Sequence, residues 1–147
     1  MTMTMAVGEF FLAEHDEVAV RGGPGKRHEF PAVPCEGIYP DDAALRWQVL
    51  LTGSSADDQV GTDQLRDVVP MANDGFTVFA VPDELRTALA VAGGDRLRAT
   101  AVEWAETCYP DYEISPDAAV GLLERLAALA ARGIERELSL YCWYFAP

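Results

Sequence analysis

Apolar positions recur along the chain with two different periods, and the change between them is clearest in the last third. From Ser115 the pattern is helical. Val120, Leu123, Leu126, Ala127 and Ala130 fall at three- and four-residue spacing, and Leu122 and Leu129 widen the stripe. Ser115-Pro116-Asp117 is a helix start. Serine accepts from free backbone N–H groups, proline at the first helical position forfeits no intrahelical bond, and aspartate faces the positive end of the dipole. Gly133 after Arg132 reads as the C-cap. The period then drops to two. Leu138, Leu140, Cys142 and Tyr144 point one way; Ser139, Tyr141, Trp143 and Phe145 point the other. A strand apolar on both sides is predicted to lie inside a sheet or beneath a partner, because burying each large side chain stabilises by roughly 1.5–3 kcal/mol.

The same reading extends to the rest of the chain. Residues 1–6 are expected to fray. Phe10, Leu12, Val18 and Val20 alternate with polar or small neighbours, which predicts a hairpin of strands 9–13 and 17–21 joined through Glu14-His15-Asp16. Pro31 and Pro34 remove ladder donors, so a strand within 28–38 belongs at a sheet edge. Pro40-Asp41-Asp42 opens a helix through Leu45, Trp47, Val49, Leu50 and Leu51, closed by Gly53. Residues 54–74 are irregular, a long loop with a short helix expected around 62–69. Asn73-Asp74-Gly75 reads as a turn before a strand at 76–81. Pro82-Asp83-Glu84 starts a helix ended by Gly93-Gly94. Asp95 caps the next, where Leu97, Ala101, Trp104, Ala105 and Cys108 keep the helical period until Tyr109-Pro110 breaks it. These elements imply one α+β domain over 1–147: a small, mostly antiparallel sheet with about four helices packed on one face, a single pair of layers.

Several runs carry a resemblance. Asp74-Gly75-Phe76-Thr77-Val78-Phe79, Val81-Pro82-Asp83-Glu84-Leu85 with Ala88-Leu89-Ala90, and Ala101-Val102-Glu103-Trp104-Ala105 with Thr107 are similar to the second half of a family of small acidic uncharacterised proteins from high-GC bacteria. So are Leu122-Leu123, Leu126, Leu129-Ala130, Leu140-Tyr141-Cys142-Trp143 and the helix end Leu50-Leu51-Thr52-Gly53. The likeness covers about half the chain and rests mostly on core residue types. It implies the same element map and no mechanism.

Charge narrows the function classes. The 147 residues hold 24 acidic against 11 basic groups, a net charge of −13. Such a field disfavours nucleic acid and anionic membrane surfaces, since phosphate binding relies on lysine and arginine. It suits a basic partner, divalent cations or plain solubility. Ten basic residues are arginine and Lys26 is the one lysine, which with the alanine excess reads as the codon bias of a GC-rich genome. Cys35, Cys108 and Cys142 are odd in number and widely spaced, without C-x-x-C, so neither a disulfide framework nor a four-cysteine zinc site is expected. The start lacks the basic and apolar regions of a signal peptide, and no apolar run is long enough to span a bilayer. A soluble protein of a reducing cytoplasm is expected.

Candidate chemistry weighs less than packing at each position. A phosphate-binding loop would need glycine where Val20 stands, Ser or Thr in place of Arg27, and a following helix, so 21–27 reads as a turn. His15, His28 and Cys35 are zinc donor types without a ligand spacing, and Cys–His nucleophilic catalysis at Cys35 lacks an orienting partner. Trp104, Glu103, Glu106, Tyr109, Asp111, Tyr112 and Glu113 form an acidic, aromatic patch of the kind that serves sugar chemistry, but Trp104 falls on the core face. Asp57, Asp58 and Asp63 lack the order of an EF-hand loop.

Two function classes follow. The first is a non-enzymatic protein-binding or accessory domain, immunity-like in kind, with a basic partner or self-association. Its candidate surfaces are the row Tyr141, Trp143, Phe145 and the acids Asp57, Asp58, Asp63. The second is a small enzyme with a pocket between residues 28–40 and the acidic 54–74 loop. The first is preferred, with no cofactor and no metal expected, because the chain has two histidines and no recognisable nucleophile–base pair.

Overall fold

The computed structural model describes residues 6–21, 32–53, 65–70 and 75–145. In chain order its elements are β1 (Val7–Ala13), α1 (Asp16–Ala19), β2 (Val33–Glu36), α2 (Pro40–Thr52), β3 (Arg66–Val69), β4 (Phe76–Ala80), α3 (Asp83–Val91), α4 (Gly94–Thr107), α5 (Pro116–Arg136) and β5 (Ser139–Phe145). The strands form one antiparallel sheet in the order β2-β1-β5-β4-β3, so the fold is α+β. The last strand of the chain is the middle strand of the sheet. A strand apolar on both faces belongs there, flanked by β1 and β4, which are themselves buried on both faces over residues 10–13 and 77–80.

The two faces of β5 enter two separate clusters. Leu140, Cys142 and Tyr144 join Phe10, Leu12 and Phe79 beneath Trp47, Leu85, Leu89, Trp104, Leu123 and Leu126 of the four long helices. Trp47 and Trp104 meet edge to face at 5.0 Å between ring centroids, a favoured aromatic geometry. Tyr141 and Trp143 join Phe11, Ala13, Val78, Ala80 and the α1 residue Ala19 on the opposite face. Tyr141 is 1% exposed and Trp143 5%.

α5 starts as expected, with the Ala118 N–H donating to Ser115 Oγ at 3.2 Å. It does not end at Gly133. The helix continues to Arg136, and the left-handed residue is Glu137 at φ 58°. The Leu138 N–H donates to the Gly133 carbonyl at 2.7 Å and the Glu137 N–H to that of Ile134 at 3.2 Å, which together close the end as a Schellman motif. Gly133 instead serves close packing. A Cβ there would lie 2.9 Å from Leu12 Cδ2 and 3.1 Å from the Leu138 carbonyl oxygen.

Three other expectations are corrected. The hairpin over 9–21 does not form, because β1 has β2 on one side and β5 on the other and offers no free edge. Residues 16–19 make a helical turn, with Ala19 buried and Val18 and Val20 exposed. The helix around 62–69 is replaced, over its described part, by edge strand β3, irregular between Asp67 and Val69 and tied to β4 by the Thr77 hydroxyl donating to the Val69 carbonyl at 2.6 Å. α4 has Gly93 as its N-cap, and Asp95 lies in the first turn, facing the dipole. The edge strand with Pro34 and the closing Gly53, at φ 76°, stand where expected. What was expected of residues 1–5, 22–31, 54–64 and 71–74 lies outside the described residues.

Candidate functional site

The second face of the sheet positions a polar cluster at one end. One cross-strand row runs Phe11, Tyr141, Ala80, Arg66 through β1, β5, β4 and β3. Ala80 is small, so no bulk stands between the tyrosine and the arginine, and both reach Asp16 at the start of α1. The Tyr141 hydroxyl donates to Asp16 Oδ1 at 2.8 Å, and Arg66 Nη2 donates to the same oxygen at 3.1 Å. Arg66 Nη1 donates to Asp16 Oδ2, completing a forked pair. Glu14, His15, Glu17 and Ser139 join these residues around an open cleft of about 530 Å³.

The electrostatics follow from these contacts. The Arg66 guanidinium, and then the Tyr141 hydroxyl, hold the Asp16 carboxyl below its ordinary value. Asp16 in turn raises Arg66 further. Burial, and then the hydrogen bond to Asp16, push the Tyr141 hydroxyl up to about 12. At neutral pH the cleft therefore presents a fixed carboxylate held by a neutral phenol and a cation, with the exposed Glu14 and Glu17 on its rim.

A second polar network has a different character. The Tyr112 hydroxyl accepts from Trp104 Nε1 and donates to Asp42 Oδ2, both at 2.9 Å. Arg46 donates to Asp42 Oδ2 at 2.7 Å, to Asp111 Oδ2 at 3.1 Å and to the Thr107 carbonyl at 3.0 Å. The Tyr144 hydroxyl donates to Asp41 Oδ2 at 2.9 Å. Burial pushes Tyr112 and Tyr144 above the ordinary tyrosine value, and the neighbouring aspartates add to it. These groups satisfy one another and pin the start of α2 to the end of α4 and to β5, which is a framework role.

The residues singled out from the sequence are dispersed. Tyr141 is in the cleft through its hydroxyl. Trp143 is buried, stacked on Phe76 at 6.3 Å, with Nε1 donating to Glu9 Oε1 at 3.1 Å. Phe145 is half-buried at the strand end, opposite Val7 and Phe76. Asp57, Asp58 and Asp63 lie outside the described residues, as does most of the pocket expected between 28–40 and 54–74. Trp104 is core, while Glu103 and Glu106 are exposed. Asp111 is held by Arg46, and Tyr109 and Glu113 line a second cleft. Among the described residues no group of three His, Cys, Asp or Glu side chains could hold a metal ion. Cys35, Cys108 and Cys142 are free and buried, and burial, then the Cys35 thiol, push the Cys142 thiol well up.

Asp16 and Arg66 were not singled out by spacing. Their one signal is that Arg66 is the lone basic residue among the acids of 54–74. Among the described residues no helix is long and apolar enough to cross a membrane. No protein-family model, curated protein or solved structure matches the chain.

Proposed function

We propose that the protein is a non-enzymatic binding domain that engages a basic protein partner through the carboxylate rim of the Asp16 cleft. One observation carries this reading. Asp16 is held by Arg66 and Tyr141 at the mouth of an open cleft, and exposed Glu14 and Glu17 flank it. The pair neutralises one carboxylate and leaves two facing outward in a chain of net charge −13. Such a field steers a positively charged partner and disfavours anionic ones, nucleic acid included. An accessory domain that caps a basic effector, as an immunity protein does, belongs to the same class. The setting is a reducing cytoplasm, in keeping with three free thiols.

The test compares the wild-type protein with the double variant Glu14→Gln/Glu17→Gln as bait in native cell extract, at low and high ionic strength, with the captured proteins identified by mass spectrometry. A basic protein should be retained by wild type at low salt and lost both in the variant and at high salt. Equal capture by both baits, or enrichment of no basic protein, would overturn the reading.

A further inference from the structure

The second cleft lies between the end of α4 and the start of α5. It measures about 510 Å³ and is lined by Ala105, Tyr109, Glu113, Ile114 and Ser115. We propose that this cleft binds a neutral saccharide unit.

Tyr109 is the first reason. It is 66% exposed, against 44% for Tyr39, while Tyr112, Tyr141 and Tyr144 are buried. An aromatic ring kept in solvent beside a concavity offers a flat apolar surface to a ligand. Ala105 and Ile114 supply further apolar lining. The polar groups are the second reason. Among the described residues neither the Tyr109 hydroxyl nor the Glu113 carboxylate has a hydrogen-bond or ion-pair partner. Ser115 Oγ accepts from the Ala118 N–H, and its own proton remains available to donate. The cleft thus combines an apolar wall with one strong acceptor and two hydroxyls. A pyranose carries the matching set, an apolar C–H face and a rim of hydroxyls that both donate and accept. The volume falls within the usual range for small-molecule sites.

A cationic ligand is the competing choice, since a tyrosine face and a carboxylate can also hold an ammonium group. The hydroxyls decide against it. An ammonium group only donates, so it would leave the Tyr109 and Ser115 hydroxyl protons without an acceptor, whereas a saccharide rim meets these donors and the Glu113 carboxylate together. Asp111, which could have added a second negative charge nearby, is engaged by Arg46 at 3.1 Å.

The inference is independent of the Asp16 cleft. Amide shifts are followed by NMR while N-acetylglucosamine or methyl glucoside is titrated into the full chain, with butylammonium as the cationic probe. Saturable shifts should centre on Tyr109, Glu113, Ile114 and Ser115 with at least one saccharide, and not with butylammonium. Tyr109→Ala should weaken binding by about tenfold through loss of the stacking surface. Glu113→Gln should weaken it while leaving the spectrum of the free protein intact. Absence of saturable shifts with either saccharide, shifts unchanged in Tyr109→Ala, or saturation by butylammonium in their place would overturn the proposal.

Discussion

The Tyr141 hydroxyl and the Asp16 carboxylate, 125 residues apart in the chain, meet at 2.8 Å. The ring belongs to the packed second face of the sheet, and the carboxylate is a half-exposed group at the start of a four-residue helical turn. Arg66 reaches the same carboxylate from an edge strand. Three segments whose Ala19, Val68, Val69 and Tyr141 already share the second apolar cluster are thereby also tied at one polar point.

Asp16→Asn should expose that contribution. The Asp16 side chain is 46% exposed and that of Arg66 59%, so solvent screens the pair and a loss of about 0.5–1 kcal/mol at neutral pH is expected. The pH dependence has a definite sign. The folded carboxyl sits below its ordinary 3.8, so the unfolded chain binds its proton more readily. The stabilisation is present above 3.8 and disappears as pH falls through the lower folded value. Urea unfolding of both proteins at neutral pH and at steps into the acid range should show the gap closing. A gap that stays constant would mean that Asp16 acts by shape and not by charge.

At the alkaline end the sign reverses. Tyr141 is raised to about 12 by burial and by Asp16, so its contribution is present below the ordinary tyrosine value of 10 and is lost as pH rises through the folded value. Ultraviolet titration of the phenolate band should show a late-ionising component that shrinks in Tyr141→Phe. Tyr112 and Tyr144 are raised too and should persist in that variant. An unchanged titration curve would count against the Tyr141–Asp16 contact.

Trp143 tests the second face as a core. Its ring is buried against Phe76, and its N–H is committed to Glu9. Trp143→Ala should cost about 3–5 kcal/mol, read from chemical denaturation, with no change in native mass. If the variant kept its stability and changed its oligomeric mass, Trp143 would belong to an association surface. Normal stability with normal mass would refute both.

The central strand could be read from the chain because residues 140–144 run without a polar break, which left it a place inside a sheet or beneath a partner, and the sheet is where it lies. α2 and α5 were legible for a local reason, as Pro40 and Ser115-Pro116 start helices through backbone chemistry that needs no tertiary context. The hairpin over 9–21 failed because Val18 and Val20 alternate like a strand, while the decisive fact, that β1 is paired on both sides, depends on residues 33–36 and 139–145. The Asp16 cleft was hidden for the same reason. Arg66 and Asp16 are related by strand order and by the small residue at Ala80, neither of which leaves a spacing to detect.

Gly133 shows how one residue type can answer two demands, and it yields the last prediction. Glycine after a helical run suggested a left-handed cap, yet here it lies inside α5 with Leu12 and the Leu138 carbonyl against its missing Cβ. Alanine in a helix interior is favoured over glycine by about 0.5–1 kcal/mol on backbone grounds. At Gly133 that gain competes with contacts of 2.9 and 3.1 Å, one of them to backbone that cannot yield. Overpacking of this kind costs about 1–3 kcal/mol, so Gly133→Ala should be destabilising on balance. Gly121, in the same helix, is the control. The nearest atom to a Cβ there is Arg125 Nη1 at 3.5 Å, the end of a flexible side chain. Gly121→Ala should therefore stabilise by about 0.5–1 kcal/mol. Thermal or urea unfolding of the two variants should move in opposite directions from wild type. If both were stabilised, the close contact between α5 and β1 at Leu12 would be wrong.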